Sequence, residues 1–343
     1  MSPLIWSLLI MSLATSTIIT MSSHHWLTAW IGLELNTLSI LPMIIKSHHP
    51  RATEATMKYF LVQAMAAAMI LFASILNAWQ TGNWSITHTS PHTTTIITIA
   101  IMLKLGLAPL HAWYPEVLQG ATMNTALIIS TWQKLAPLTL LYLINNNLPP
   151  NTILLMGFTS ALIGGWLGLN QTQTRKIMAL SSIAHMGWLI ITLNLSSHLT
   201  MLTMTIYIIM TTAMFMSLNI TMTKTLTEMG TTWSQSPLLT TTMMITLMSL
   251  GGLPPLTGFT PKWLILSSLC DMKLLLLGIA LAMASLPSLF FYIRLAYFTT
   301  LTAPPNTTNT QYKWRFNTPL TPGLTLTIMM TTLLLPLTHM MTT

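Results

Sequence analysis

The chain has 343 residues, of which 52% are hydrophobic and only 5% charged, and its mean hydropathy is +0.65. Such a composition excludes a soluble globular domain and describes a polytopic, all-α membrane protein. The formal net charge of +8 comes from 13 basic and 5 acidic residues spread thinly, without the clustered basic face that nucleic-acid binding requires, and the single Cys270 excludes an intrachain disulfide framework or a four-thiolate metal site.

In chain order, apolar windows separated by polar or Pro-containing joints predict about eleven spans, near 3–21, 26–45, 56–79, 94–118, 123–144, 151–170, 177–195, 199–222, 238–268, 274–298 and 320–340. The first has no Lys or Arg ahead of it and reads as a permanent helix rather than a cleaved signal or transit peptide. The longest joint, Thr299 to Pro319, is rich in Thr, Asn and Pro, as a surface connection is. Lys46, Arg51 and Lys58 follow the second span, Arg175 and Lys176 the sixth, Lys224 the eighth, and Lys313 and Arg315 the tenth, whereas the opposite side has only Lys273. The positive-inside rule therefore places the N-terminus and the even-numbered loops inside and the C-terminus outside.

Spans one to five (residues 1–146) and six to ten (147–298) form two halves, and residues 299–343 add a connection and one C-terminal helix. In each half the fourth helix is interrupted by helix breakers. The first break reads Lys104-Leu-Gly-Leu-Ala-Pro109, with Pro115 further on, and the second Gly251-Gly-Leu-Pro-Pro255, with Gly258 and Pro261-Lys262 beyond. Paired breaks at matching places are the mark of a repeat transporter, and an odd number of helices per half makes the repeat inverted. Backbone groups freed at a break survive at membrane depth only inside protein or beside water, so both breaks are expected to be wet.

Charged side chains inside apolar runs are the functional candidates, because a charge at the bilayer centre costs roughly 2.5 to 3.5 kcal/mol on insertion scales and persists where it faces a polar interior. They are Glu34, Lys104, Lys134 and Lys262. Lys104 and Lys262 lie beside breaks, while Lys134, in Trp132-Gln-Lys-Leu-Ala-Pro137, is expected in an uninterrupted helix. His185, mid-span in the second helix of its half as Glu34 is in the other, and His111, just past the first break, are secondary proton-relay candidates for which a packing hydrogen bond is the alternative role.

Four stretches carry a family resemblance: Ile31-Gly-Leu-Glu-Leu-Asn36, Lys104-Leu-Gly-Leu-Ala-Pro-Leu-His-Ala-Trp-Tyr-Pro-Glu116, Ser181-Ser-Ile-Ala-His-Met-Gly187 and Gly251-Gly-Leu-Pro-Pro-Leu-Thr-Gly-Phe-Thr-Pro-Lys-Trp263. Over the whole length the chain resembles the antiporter-like subunits of respiratory complex I, specifically the chain 2 family of NADH:ubiquinone oxidoreductase in its mitochondrially encoded form. The resemblance implies a proton-pumping membrane subunit with no redox group of its own, FMN, iron–sulfur clusters and ubiquinone being held by partner subunits. It further implies neighbours in the membrane arm, inner-membrane lipids such as cardiolipin, a matrix-side N-terminus and an intermembrane-space C-terminus. Glu34 matches the family's paired acidic residue, Lys104 the lysine at the first broken helix, Lys134 the central relay lysine and Lys262 the position at the second broken helix. A Glu34–Lys104 ion pair that opens and closes is the expected switch. Without the resemblance, a stand-alone cation/proton antiporter, a haem-bearing subunit similar to cytochrome b and a structural membrane anchor remain open.

Overall fold

A computed structural model of the chain describes residues 3–46, 48–300, 323–336 and 338. The described residues form helices and their connections, in two compact units, Met1–Ser160 and Ala161–Thr343. The first contains α1 (Pro3–Met21), α2 (Trp26–Ile45), α3 (Pro50–Thr81), α4 (Pro91–Leu105), α5 (Trp113–Gly120), α6 (Met123–Ser130) and α7 (Leu135–Leu143). The unit boundary falls inside α8 (Pro150–Gly168). The second continues with α9 (Thr174–Leu195), α10 (Ser197–Thr221), α11 (Leu226–Gln235), α12 (Pro237–Gly251), α13 (Phe259–Asp271), α14 (Leu275–Thr300) and α15 (Leu324–Leu333).

Among the described residues, eight stretches are long and apolar enough to cross a membrane: α1, α2, α3, the 123–143 stretch, α8, α9, α10 and α14. Two further predicted spans are each divided, 94–118 into α4 and α5 and 238–268 into α12 and α13, and the last, 320–340, contains the short α15. Lys313, Arg315 and most of the 299–319 connection lie outside the described residues. A helix absent from the sequence reading is α11, which opens with a reciprocal capping box between Thr225 and Glu228.

The many Thr and Ser residues of the spans bond within their own helices. Ser16 Oγ donates to Leu13 O at 2.9 Å, Ser181 Oγ to Met178 O at 2.8 Å and Thr203 Oγ1 to Thr200 O at 2.9 Å. A hydroxyl that back-bonds to its own helix can face an apolar surrounding without an unsatisfied donor, which reconciles a Thr-rich sequence with membrane depth. In the second unit α9 is the central element, 89% buried over its apolar window, whereas α1 is 22% buried and turns Leu4, Leu8, Met11 and Ile18 outward.

Each unit ties the loop before one helix to a later loop by a short backbone bridge. Trp26 N donates to Trp84 O and Ile86 N to His24 O, both at 3.1 Å. In the second unit Thr174 N donates to Lys224 O and Leu226 N to Thr172 O, again at 3.1 Å.

Candidate functional site

The breaks end their helices in the same way. At α4, Gly106 takes a left-handed conformation (φ +71°), with Gly106 N donating to Leu103 O and Leu107 N to Met102 O. At α12, Gly252 does the same (φ +78°), with Gly252 N donating to Ser249 O and Leu253 N to Met248 O. This termination favours glycine, because a Cβ in the left-handed region collides with the following carbonyl. An irregular segment then leads to α5 or α13, so each break is a helix, a gap and a second half-helix.

Lys104 lies in the last turn of α4, 6% exposed, and its Nζ has no hydrogen-bond partner. It lines a cavity of about 20 Å³, room for a water molecule, together with Asn36, Thr37, Tyr59, Gln63, Gln133 and Lys134. Lys134 is 3% exposed, and its Nζ stands 5.0 Å from the ring centroid of Tyr114, another wall residue, in cation–π contact. Both lysines therefore face a shared polar interior. The expectation of an uninterrupted helix around Lys134 is wrong: α6 stops at Ser130 and Trp132–Lys134 form a 3-10 turn before α7. Pro137 supplies the cause, since it has no N–H to bond the Gln133 carbonyl and its ring crowds that turn, while Thr131 Oγ1 back-bonds to Leu127 O at 2.7 Å.

Glu34 is half-buried on α2 and within electrostatic range of Lys104, but no ion pair within 4 Å joins them in this structure. Its Oε2 accepts a 3.5 Å bond from Thr37 Oγ1. The turn after Glu34 meets the cavity: Gln133 Nε2 donates to Asn36 Oδ1 at 3.1 Å and to Asn36 O at 3.4 Å. Tyr59 OH donates to Gln133 Oε1 at 3.5 Å, and Gln63 Nε2 to the Lys104 carbonyl at 3.3 Å. His111 is not part of this cluster; it lies in the gap after the break with Nδ1 3.2 Å from Pro109 O.

In the second unit, His185 and Lys262 line a cavity of about 20 Å³ with Thr203, Tyr207, Gly258 and Pro261. Lys262, on α13, reaches back across the break and donates from Nζ to Gly251 O at 2.8 Å, so its ammonium caps the carbonyl end of α12. His185 Nε2 is 3.2 Å from the Tyr292 hydroxyl. Among the described residues, no three His, Cys, Asp or Glu side chains group as a metal centre.

Asn36, Tyr59, Gln63, Gln133 and Tyr292 were not singled out by sequence. The available signal was weak: uncharged polar side chains inside apolar spans, which usually mark helix–helix hydrogen bonds. Outside the cavities, Lys58 of α3 pairs with Glu54 at 2.6 Å and with Glu116 of α5, fastening α5, the second half-helix of the first break, to α3.

The family model described as NADH:quinone oxidoreductase/Mrp antiporter, TM, matches residues 23–287, and one described as NADH dehydrogenase subunit 2 C-terminus matches residues 289–342. The chain is 55% identical over 319 residues to NADH-ubiquinone oxidoreductase chain 2 of Carassius auratus, covering 93% of this chain and 92% of that one. It is 52% identical over 336 residues to the protein of the same name from Coturnix japonica, covering 97% of each. Among solved structures, a chain of respiratory complex I from Thermus thermophilus with bound aureothin aligns with a TM-score of 0.83 at 23% identity, over 96% of this chain and 79% of that one. A chain of the Mrp complex from Dietzia sp. aligns with a TM-score of 0.78 at 15% identity, over 88% of this chain and 61% of that one. With over three quarters of its length inside the antiporter match, its C-terminus in a subunit-specific match and half its residues identical to named relatives, the chain belongs to the NADH-ubiquinone oxidoreductase chain 2 family.

Proposed function

We propose that the chain is a proton-translocating membrane subunit of respiratory complex I whose relay runs from Lys104 to Lys134 and on to Lys262, with Glu34 as the switch. The observation that carries the reading is the shared cavity: two lysines, each under a tenth exposed, face a polar space that fits water, and one of them has no bonding partner. A buried ammonium in that state gains most by losing its proton or by acquiring a counter-charge, the two options a relay alternates.

Glu34 supplies the counter-charge. A carboxylate 4 Å from an ammonium at an effective dielectric near 20 gains about 4 kcal/mol, whereas moving one charge against 100 mV costs about 2.3 kcal/mol. A shift of α2 that closes and then opens the Glu34–Lys104 pair is therefore large enough to bind a proton at Lys104 and release it toward Lys134. His185, which shares a cavity with Lys262, and Tyr292, which hydrogen-bonds His185, extend the polar path in the second unit, and His111 serves as an accessory proton carrier at the first gap. The two broken-helix halves act as an inverted repeat within about eleven spans, lying in the mitochondrial inner membrane with the N-terminus on the matrix side and the C-terminus toward the intermembrane space. Neighbouring membrane-arm subunits deliver the driving movement, cardiolipin is a fitting lipid for the basic matrix side, and the redox groups reside in other subunits.

The direct test is Lys134→Met in assembled complex reconstituted into vesicles, with proton uptake and NADH oxidation read together. The expected result is normal assembly with fewer protons moved per electron. An unchanged ratio removes Lys134 from the path.

A further inference from the structure

The relay reading leaves a gap: Glu34 is not among the residues lining the cavity that Lys104 and Lys134 share. Something must carry a change at Glu34 to Lys134. We infer that the Asn36–Gln133 side-chain pair is that coupling element, positioning Lys134 according to where the Glu34-bearing turn of α2 stands.

The chain of contacts is short. Asn36 is two residues from Glu34 on α2 and 2% exposed, and its side-chain oxygen and its carbonyl both lie within bonding distance of Gln133 Nε2. Gln133 immediately precedes Lys134 within the 3-10 turn. The turn lacks the regular helical ladder that would fix it from within, because Pro137 cannot donate to the Gln133 carbonyl. Beyond the short-range backbone bonds Lys134 N to Thr131 O and Leu135 N to Trp132 O, its position depends on side-chain anchors. On one side Gln133 holds Asn36, and on the other its Oε1 accepts from Tyr59 OH. A rotation or slide of α2 pulls on Gln133 directly, and the residue that moves with it is Lys134. Mid-helix 3-10 segments serve as hinges, and buried amide pairs in apolar surroundings carry more than their individual worth because neither partner can turn to bulk water.

Gln133 is thus a positioning residue that acts through Lys134 rather than a carrier of protons. This inference rests on the relay proposed above, and its test separates the two. Assembled complex in vesicles is compared in six forms: unaltered, Gln133→Leu, Glu34→Gln, both together, Lys134→Met, and the swap Asn36→Gln with Gln133→Asn, which keeps an amide pair with the chain lengths exchanged. Gln133→Leu is expected to lower protons moved per NADH by about two- to tenfold, the span one hydrogen bond supports. Adding it to Glu34→Gln is expected to cause no further loss, since both act on one coupling. The swap is expected to pump, and it decides the matter if Gln133→Leu does not assemble. Full pumping in Gln133→Leu, independent losses in the double variant, or an assembled swap that does not pump would each overturn the coupling. Full pumping in Lys134→Met sinks the relay itself, whereas a defective Lys134→Met beside a normal Gln133→Leu sinks only this inference.

Discussion

The two broken helices use the same backbone device and treat their lysines oppositely. At the first break the lysine precedes the gap, in the last turn of α4, and its ammonium is buried without a hydrogen-bond partner. At the second the lysine follows the gap, on α13, and its ammonium is docked on the Gly251 carbonyl. A helix end offers unpaired carbonyls, so a cation placed across the gap finds a binding partner there while one inside the last turn points sideways. The difference teaches that a break does not by itself set a lysine's state; the side of the gap from which it reaches does. In the relay proposed above, the first lysine would be the poised member and the second the held one.

Removing each cation is the strongest way to break that contrast. Lys104→Met takes away an unpartnered charge whose burial costs on the order of 3 kcal/mol in a membrane interior. The melting temperature of the assembled membrane arm is expected to rise while proton transfer falls, the trade of stability for function seen at working sites. Lys262→Met instead strips the Gly251 carbonyl of its lysine donor, a loss of about 1 to 3 kcal/mol, and the melting temperature is expected to drop. Thermal denaturation of the two variants side by side checks this, and shifts of equal sign would erase the distinction.

A smaller effect sharpens it. Gly252→Ala and Gly106→Ala each force an L side chain into the left-handed region, costing roughly 1 to 2 kcal/mol apiece. Their neighbours differ. A Cβ on Gly252 would stand 2.8 Å from Lys262 Nζ, whereas one on Gly106 would meet Tyr114 Cβ at 3.2 Å and the Trp113 ring at 3.3 Å. Gly252→Ala is expected to displace the ammonium and lower protons per electron as well as stability; Gly106→Ala, which presses on the Tyr114 and Trp113 rings rather than on an ammonium, is expected to lower stability with the smaller loss of pumping. Pumping ratios measured at matched assembly levels decide, and an equal loss of pumping in both would mean that the docking on Gly251 is incidental.

Much of this was legible in the sequence, for identifiable reasons. Gly106 and Gly252 with the prolines behind them announced both gaps, because few residues besides glycine end a helix in the left-handed region and proline cannot resume one. Lys104 and Lys134 stood out because charge is so rare in the spans. The 3-10 turn at Lys134 was missed although Pro137 stood in plain view: a single proline in an apolar run is compatible with a kinked but continuous helix, and only the packing decides. Helix α11 was missed for another reason, its Thr225–Glu228 cap being a four-residue local signal in a stretch too polar to register as a span. The docking of Lys262 on Gly251 and the Asn36–Gln133 bond join residues distant in the chain, which no window of sequence reports.

The loops ahead of the two broken helices extend the contrast to the aqueous edge, where the expected effect is smallest. In the first unit an amide side chain fastens the loop: Asn77 Nδ2 donates to His88 O at 2.9 Å and Asn77 Oδ1 accepts from Ser90 N at 3.0 Å. In the second unit a carboxylate does the work, Glu228 Oε2 accepting from Lys224 N at 2.6 Å and from Thr225 N at 3.3 Å. These N–H donors, that of Lys224 foremost, hold the Glu228 carboxyl below the usual carboxylate range. A carboxyl with a depressed folded value contributes stability that is fully present above its ordinary pKa and is lost as pH falls through the depressed one. Acidification through the carboxylate range is therefore expected to loosen the loop around Lys224 and Thr225 more than the Asn77-anchored loop, whose anchoring amide does not titrate. Thr225→Ala, which removes the other half of the capping box at a cost of about 1 kcal/mol, is expected to loosen the same loop at neutral pH. Amide hydrogen exchange of peptides covering 222–230 and 82–92, corrected for the intrinsic pH dependence of exchange, reads both effects. If the two loops open in parallel on acidification, charge at Glu228 is not what fastens the second one.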